Sequence, residues 1–194
     1  MSPAEQDQLI QDFIACVPKF DAMSECKESN PIAWEFRTQD ADEHGWFDWR
    51  PLKSNTDASC LEPLYTHLPG RFPALYERLA LTYRWAEAYL DQYRLLPNPL
   101  GPDLNRLFDQ IRGDDAIWSA LTKSGYIQFG RGPDMDYDPV CFDLSSRKKH
   151  NRDCRIVKID HEEILCNDRV RVVSELAPSF EKLVRDTIER ARKL

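Results

Sequence analysis

The sequence predicts an α+β domain in which helices pack on an antiparallel or mixed sheet of about four to six strands. Two observations carry this expectation. Up to Lys123 the apolar residues recur mainly at helical spacing. Beyond Gly125 they form four short strand-like runs between turn-rich links, and one amphipathic helix closes the chain. A chain of 194 residues is long enough for one good core, so a single domain is expected over residues 1–194.

The elements follow in order. Ser2-Pro3-Ala4-Glu5 opens a helix: Ser2 caps, Pro3 suits the first helical position and Glu5 completes a capping box. Leu9, Phe13 and Cys16 carry it until Pro18, where it is expected to stop. Lys19–Pro31 is polar and irregular. Ala33–Gln39 alternates, with Trp34 and Phe36 on one face. Trp46–Arg50 alternates too, with Phe47 and Trp49 together, so the two read as a β-hairpin. Its tryptophans fit a docked hairpin better than a ligand cage, because paired aromatics at period two are how a half-buried hairpin packs.

Asp57 starts a second helix, ended by Pro69-Gly70, and Pro73 starts a third through Leu75, Leu79 and Tyr83. Arg84–Leu96 reads as a strand. Pro97-Asn98-Pro99 is a firm break. Two short amphipathic helices follow, over Pro102–Gly113 and Asp114–Lys123. The strand runs are Tyr126–Phe129, Val140–Leu144, Arg155–Ile159 and Arg169–Val173. The last helix spans about Pro178 to Lys193, with Phe180, Leu183, Val184 and Ile188 as its stripe.

Charge narrows the function classes. The formal net charge is −7. Residues 1–97 carry 9 basic and 16 acidic residues, whereas residues 98–194 carry 17 of each. Nucleic-acid binding is disfavoured, since phosphate contacts need clustered Lys and Arg. A basic protein partner suits the acidic first half. No signal peptide and no membrane span is expected. Cys16, Cys26, Cys60, Cys141, Cys154 and Cys166 form no Cys-x-x-Cys pair and read as reduced thiols of a cytoplasmic protein.

The chemical motifs are incomplete. Asp134-Met-Asp136-Tyr-Asp138 opens like a calcium loop, but Pro139 stands where Gly is needed and Ser145 where a bidentate Glu is needed. His161-Glu-Glu-Ile-Leu165 begins like a zincin helix and lacks the second His. Gly130-Arg-Gly132 lacks the ending of a phosphate loop. Arg147-Lys-Lys-His-Asn-Arg152 reads as a solvated hairpin tip. A small metal-dependent enzyme would have to use His150, Asp153 and His161, whose spacing matches no ligand pattern. No catalytic residue, metal or cofactor is expected.

Four segments come in a particular order: Gly125-Tyr-Ile-Gln-Phe-Gly130, Asp138-Pro-Val-Cys-Phe-Asp-Leu144, Ile156-Val-Lys-Ile-Asp-His-Glu-Glu-Ile164 and Ala177-Pro-Ser-Phe-Glu-Lys-Leu183. Upstream lie Leu68-Pro69 and Tyr76-Glu-Arg-Leu-Ala-Leu81. This series resembles the Smi/Knr branch of the SUKH superfamily over about residues 57–190. The resemblance implies a SUKH-like α+β fold with residues 1–52 as an extension. It also implies binding rather than catalysis, most plausibly as an immunity protein that neutralises a cognate bacterial toxin by direct contact. A regulatory scaffold of the same fold is the alternative. Where family members often carry an Asn-Gly-Gly-like turn, this chain has Thr82-Tyr-Arg-Trp85, at the edge of any binding cleft. The candidate partner-binding residues are therefore Trp85 and Glu87 there, with Asp136, Asp138 and Asp143 flanking the Asp-Pro-Val strand. Turn capping is the competing role for these three aspartates.

Overall fold

The computed structural model describes residues 1–20, 31–133 and 136–194. Along the chain lie α1 (Pro3–Phe20), α2 (Pro31–Trp34), β1 (Leu52–Lys53), a 3₁₀ turn (Ala58–Leu61), α3 (Glu62–Tyr65), α4 (Ala74–Thr82), β2 (Tyr83–Arg84), β3 (Ala88–Tyr89) and β4 (Arg94–Leu95). Then come α5 (Asn105–Arg112), α6 (Asp115–Lys123), β5 (Tyr126–Arg131), β6 (Pro139–Asp143), β7 (Ile156–Ile159), α7 (His161–Asn167), β8 (Val172–Ala177) and α8 (Phe180–Ala191). Strands β3 to β8 form a six-stranded antiparallel meander in sequence order, and β1 pairs with β2. The expected α+β class holds. No helix of the described residues is long and apolar enough to cross a membrane.

The sheet is covered on both faces because its central strands alternate between two apolar sets. Ile127, Phe129, Val140, Phe142 and Ile156 join the main core with α1, α4 and α8. Cys141, Val157 and Ile159 face the other way, against Leu121 of α6 and Ile164 of α7. From the first 52 residues, Phe13, Phe36, Phe47 and Trp49 lie in the main core.

Helix starts follow the capping chemistry. Ser2 and Glu5 exchange hydrogen bonds, Asp114 accepts from Ala116 N and Ile117 N, and Ser179 accepts from Lys182 N. Asp153 adds a cap of its own: its carboxylate accepts from Phe180 N at 2.8 Å and ties the β6–β7 link to α8.

Four expectations need correction. First, α1 runs past Pro18 to Phe20. Pro18 forfeits one backbone bond, and burial of Phe13, Ile14 and Val17 carries the helix over it. Residues 21–30 of the irregular stretch lie outside the described residues. Second, Pro31–Trp34 is a helical turn, favoured by proline at its first position. The hairpin shrinks to the Arg37–Trp49 bridge and its flanking bonds, Thr38 N to Asp48 O and Arg50 N to Phe36 O. Third, Arg84–Leu96 is not one strand. It turns at Asp91, which takes φ 67° between β3 and β4. Fourth, the strand expected over Arg169–Val173 begins at Val172 and extends to Ala177. Asp168 ends α7 in the left-handed conformation, and Arg169 N still bonds back to Glu163 O.

Two buried polar groups stand out. Arg84 is 1% exposed. Its guanidinium donates to Ala80 O, Asn98 Oδ1, Thr56 Oγ1 and Asp103 O, pinning the end of α4 to the loops before α3 and α5. Tyr76 is fully buried among Phe72, Phe129, Phe142 and Phe180. Its hydroxyl has no hydrogen-bond partner among the described residues, and an unpaired buried hydroxyl costs about 1–3 kcal/mol. Tyr76→Phe should therefore leave urea-unfolding stability unchanged or raise it, whereas Tyr76→Ala should lose about 3–5 kcal/mol.

Candidate functional site

Three of the five candidate residues converge at one end of the sheet, where the β5–β6 link, β4, β7 and the start of α7 meet. Local chemistry fixes the link. Asp136 N bonds Pro133 O, Gly132 N bonds Asp138 O, and Asp138 N bonds Asp136 Oδ1 at 2.9 Å. Pro139 lacks an N–H and sits as the first residue of β6, so no interior ladder bond is lost.

Arg94 is the support beneath this link. It is 6% exposed and donates through Nε to Gly132 O at 2.8 Å and through Nη2 to Asp136 O at 3.0 Å. Its Nη1 lies 3.7 Å from Glu87. The ring centres of Tyr89 and Tyr137 lie 5.6 and 5.8 Å from its guanidinium carbon. Both tyrosines are substantially exposed, 37% and 49%. Fixed, half-exposed tyrosines are typical anchor residues at protein interfaces.

The aspartates face cations from the neighbouring elements. Lys158 points to the main-core side of β7, opposite Val140, and reaches Asp136 at 2.7 Å and Asp138 at 3.7 Å. His161 begins α7. Its Nδ1 lies 2.8 Å from Asp138 Oδ1, which also accepts the His161 backbone N–H. Burial pushes the Asp136 carboxyl up. The Lys158 hydrogen bond, the Asp138 amide and the nearby positive charges outweigh it and hold the group below its ordinary 3.8. The Lys158 ammonium is held above 10.5, chiefly by its bond to Asp136.

The other two candidates are placed elsewhere. Trp85 is fully buried and donates its Nε1–H to Leu96 O at 2.8 Å, so it is a core residue. Asp143 is 1% exposed at the opposite end of β6, held by Arg155 at 2.6 Å and by Ser145. Neither side chain is accessible to a partner. Burial pushes the Asp143 carboxyl up, yet the bonds from Ser145 and Arg155 bring it below the ordinary value.

Charge was the signal that singled out Asp136 and Asp138. It did not find Tyr89 and Tyr137, which become neighbours only through the β4–β5 pairing and the link. Beside Tyr89 a cleft of about 440 Å³ opens between Lys19, Phe20, Asp91 and Pro133.

The remaining chemical candidates do not assemble. Asp153 caps α8 while His161 lies beyond the far end of β7, so His150, Asp153 and His161 share no centre. Among the described residues no three His, Cys, Asp or Glu side chains are grouped to hold a metal ion. Asp134 of the calcium-like pattern lies outside the described residues. Burial keeps two thiols protonated: Cys141 is raised well above its ordinary value, and Cys154, with Asp153 adding to burial, is pushed up to about 12. No protein-family model matches this chain, and neither does any curated protein.

Two outcomes follow from this geometry. A carboxylate held below its ordinary value adds stability that is present above pH 3.8 and is lost as pH falls through its folded-state midpoint. Wild type should therefore lose more unfolding free energy than Asp136→Asn between pH 5 and 2.5, measured by urea titration at each pH. A Cβ on Gly132 would come within 2.2 Å of the Asp136 carboxyl carbon. Gly132→Ala should thus push Asp136 off Lys158 and flatten the same acid dependence, while far-UV circular dichroism stays unchanged.

Proposed function

We propose that this chain is a protein-binding domain whose contact surface is the sheet end bearing Tyr89 and Tyr137. The observation that carries the reading is the pair of exposed rings that share the buried Arg94, their centres 5.6 and 5.8 Å from its guanidinium carbon. Rigid aromatic side chains give large contact area at little entropic cost, and such residues dominate interface energetics. The adjoining cleft offers room for an apolar side chain of the partner.

The resemblance of the motif series to the Smi/Knr branch of the SUKH superfamily supports a narrower reading. The partner is then a bacterial toxin domain, neutralised by stoichiometric binding in the cytoplasm, and the chain itself performs no catalysis. A basic toxin domain fits the charge balance. The carboxylates at the sheet end are met by internal cations. In the first half Asp40 and Glu43 keep 96% and 86% of their side-chain surface exposed, with Arg37 4.0 Å from Asp40 and His44 3.6 Å from Glu43. Complementary charge of this kind speeds encounter more than it tightens the complex.

The test is a binding titration against the C-terminal domains of toxins encoded beside this chain. Tyr89→Ala/Tyr137→Ala should weaken the complex by at least about thirtyfold, the range of interface anchor residues, with an unchanged melting temperature. Cells deprived of this chain that tolerate every neighbouring toxin domain would remove the toxin reading. A complex indifferent to both tyrosines would move the contact surface elsewhere.

A further inference from the structure

We propose that β8 pairs antiparallel with β8 of a second copy across a two-fold axis at Val173, joining the two six-stranded sheets into one. This pairing goes beyond the partner-binding reading and does not rest on it. Tyr89 lies on β3, at the opposite edge of the sheet, so the two surfaces are separate.

The outer edge of β8 is open. It is the last strand of the order and pairs only with β7 among the described residues. An edge strand presents unpaired N–H and C=O groups, and natural sheets blunt such edges with proline, lysine, bulges or a covering segment. Val172–Ala177 contains neither proline nor lysine, and Glu175 is its one charged residue. Its register with β7 does shift twice, which leaves Val173 and Leu176 without a partner opposite them in that strand. Val172 and Val173 are 41% and 48% exposed. Two consecutive branched residues suit strand pairing, and burying them removes apolar surface from water.

Charge selects a second copy as the occupant. Arg171 immediately precedes β8, and Glu175 follows it by four residues. With Val173 opposite Val173 on the axis, the antiparallel register sets Arg171 of each copy opposite Glu175 of the other. Two opposite-charge pairs form, one on each side of the axis, and such pairs directly across a ladder stabilise it. Both side chains have surface to offer, being 52% and 48% exposed. Arg171 is also paired with Asp160, whereas Glu175 is held loosely, 3.9 Å from Arg155. Moving the axis one residue on, to Ser174, sets Val173 opposite Glu175 and loses both charge pairs. The pairing also closes on itself. Once β8 meets β8, the remaining edge is β3, which offers two residues.

The test is the oligomeric state of the full chain. Sedimentation equilibrium across the micromolar range should show a monomer–dimer equilibrium in wild type. Val173→Lys sets two ammonium groups against each other on the axis. It should raise the dimer dissociation constant at least about tenfold, with far-UV circular dichroism unchanged. Glu175→Arg should also weaken the dimer, and Arg171→Glu/Glu175→Arg should restore it. A wild type that stays monomeric at every concentration, a dimer indifferent to Val173→Lys, assembly beyond the dimer, or a folded double variant left monomeric overturns the proposal. Wild type and Val173→Lys decide the matter alone if the double variant does not fold. Tyr89→Ala/Tyr137→Ala should dimerise like wild type, so a failed toxin-binding reading leaves this result standing.

Discussion

Tyr76, Phe129, Phe142 and Phe180 meet where α4, β5, β6 and α8 converge, and keeping these rings dry is the constraint from which the rest of the fold follows. Phe129 and Phe142 stack at 4.2 Å across the β5–β6 pair, and Tyr76 and Phe180 stand edge-on to them at 5.1 to 5.9 Å. Pairs of this geometry contribute about 0.5–1.5 kcal/mol each beyond the area they bury. Stacking on one sheet face requires Phe129 and Phe142 to share that face. That sets the β5–β6 register and, through the antiparallel meander, the strands on either side. The price is the Tyr76 hydroxyl, sealed in with no partner among the described residues.

Closing helices over this cluster buries chain ends and links whose backbone groups need partners, and four polar side chains supply several of them. Asp153 supplies the first amides of α8. Arg84 and Asn98 together take up Ala80 O, Tyr83 O and Asp103 O where α4 breaks into β2. Arg94 does the same for Gly132 O and Asp136 O at the sheet end. Each is a charged or amide group that would be costly to bury alone and is tolerated because of the hydrogen bonds it makes, although Arg84 Nε itself has no partner among the described residues. The sheet end differs in one respect. Its supporting group is buried, while the residues it supports, Tyr89 and Tyr137, remain at the surface.

Much of the fold was legible in local sequence because local chemistry decides it. Ser2 and Asp114 announce helix starts that the structure keeps, and Asp57 caps a 3₁₀ turn, since a cap acts within three residues. Strands β5, β6 and β7 were legible because branched and aromatic residues alternate there. Where tertiary contacts compete, the reading failed. Tyr83, Trp85, Tyr89 and Tyr93 alternate like one strand, yet Asp91 turns the chain without the glycine that would have marked it. Pro18 looked like a stop until burial against α8 overrode it. The site divides along the same line. Asp136 and Asp138 were visible as unusual acids in a turn. Arg94, Lys158 and His161 became their neighbours only through pairing between strands distant in sequence, and Trp85 looked available until its burial was known.

That division changes what the acidity means. Read along the chain, Asp136, Asp138 and Glu87 are negative charges in search of a basic partner. In the fold each faces a cation of its own, which offsets its charge toward a partner. What the pairing contributes is position. Lys158 and His161 hold Asp136 and Asp138 on either side of Tyr137 in the chain, and the rings of Tyr137 and Tyr89 both lie against Arg94. On the proposed reading, attraction for a basic partner comes from the net acidity of the first half, and fit comes from the two exposed tyrosines that share Arg94. A partner altered in charge alone would then arrive more slowly, whereas one altered in shape at the tyrosines would leave sooner.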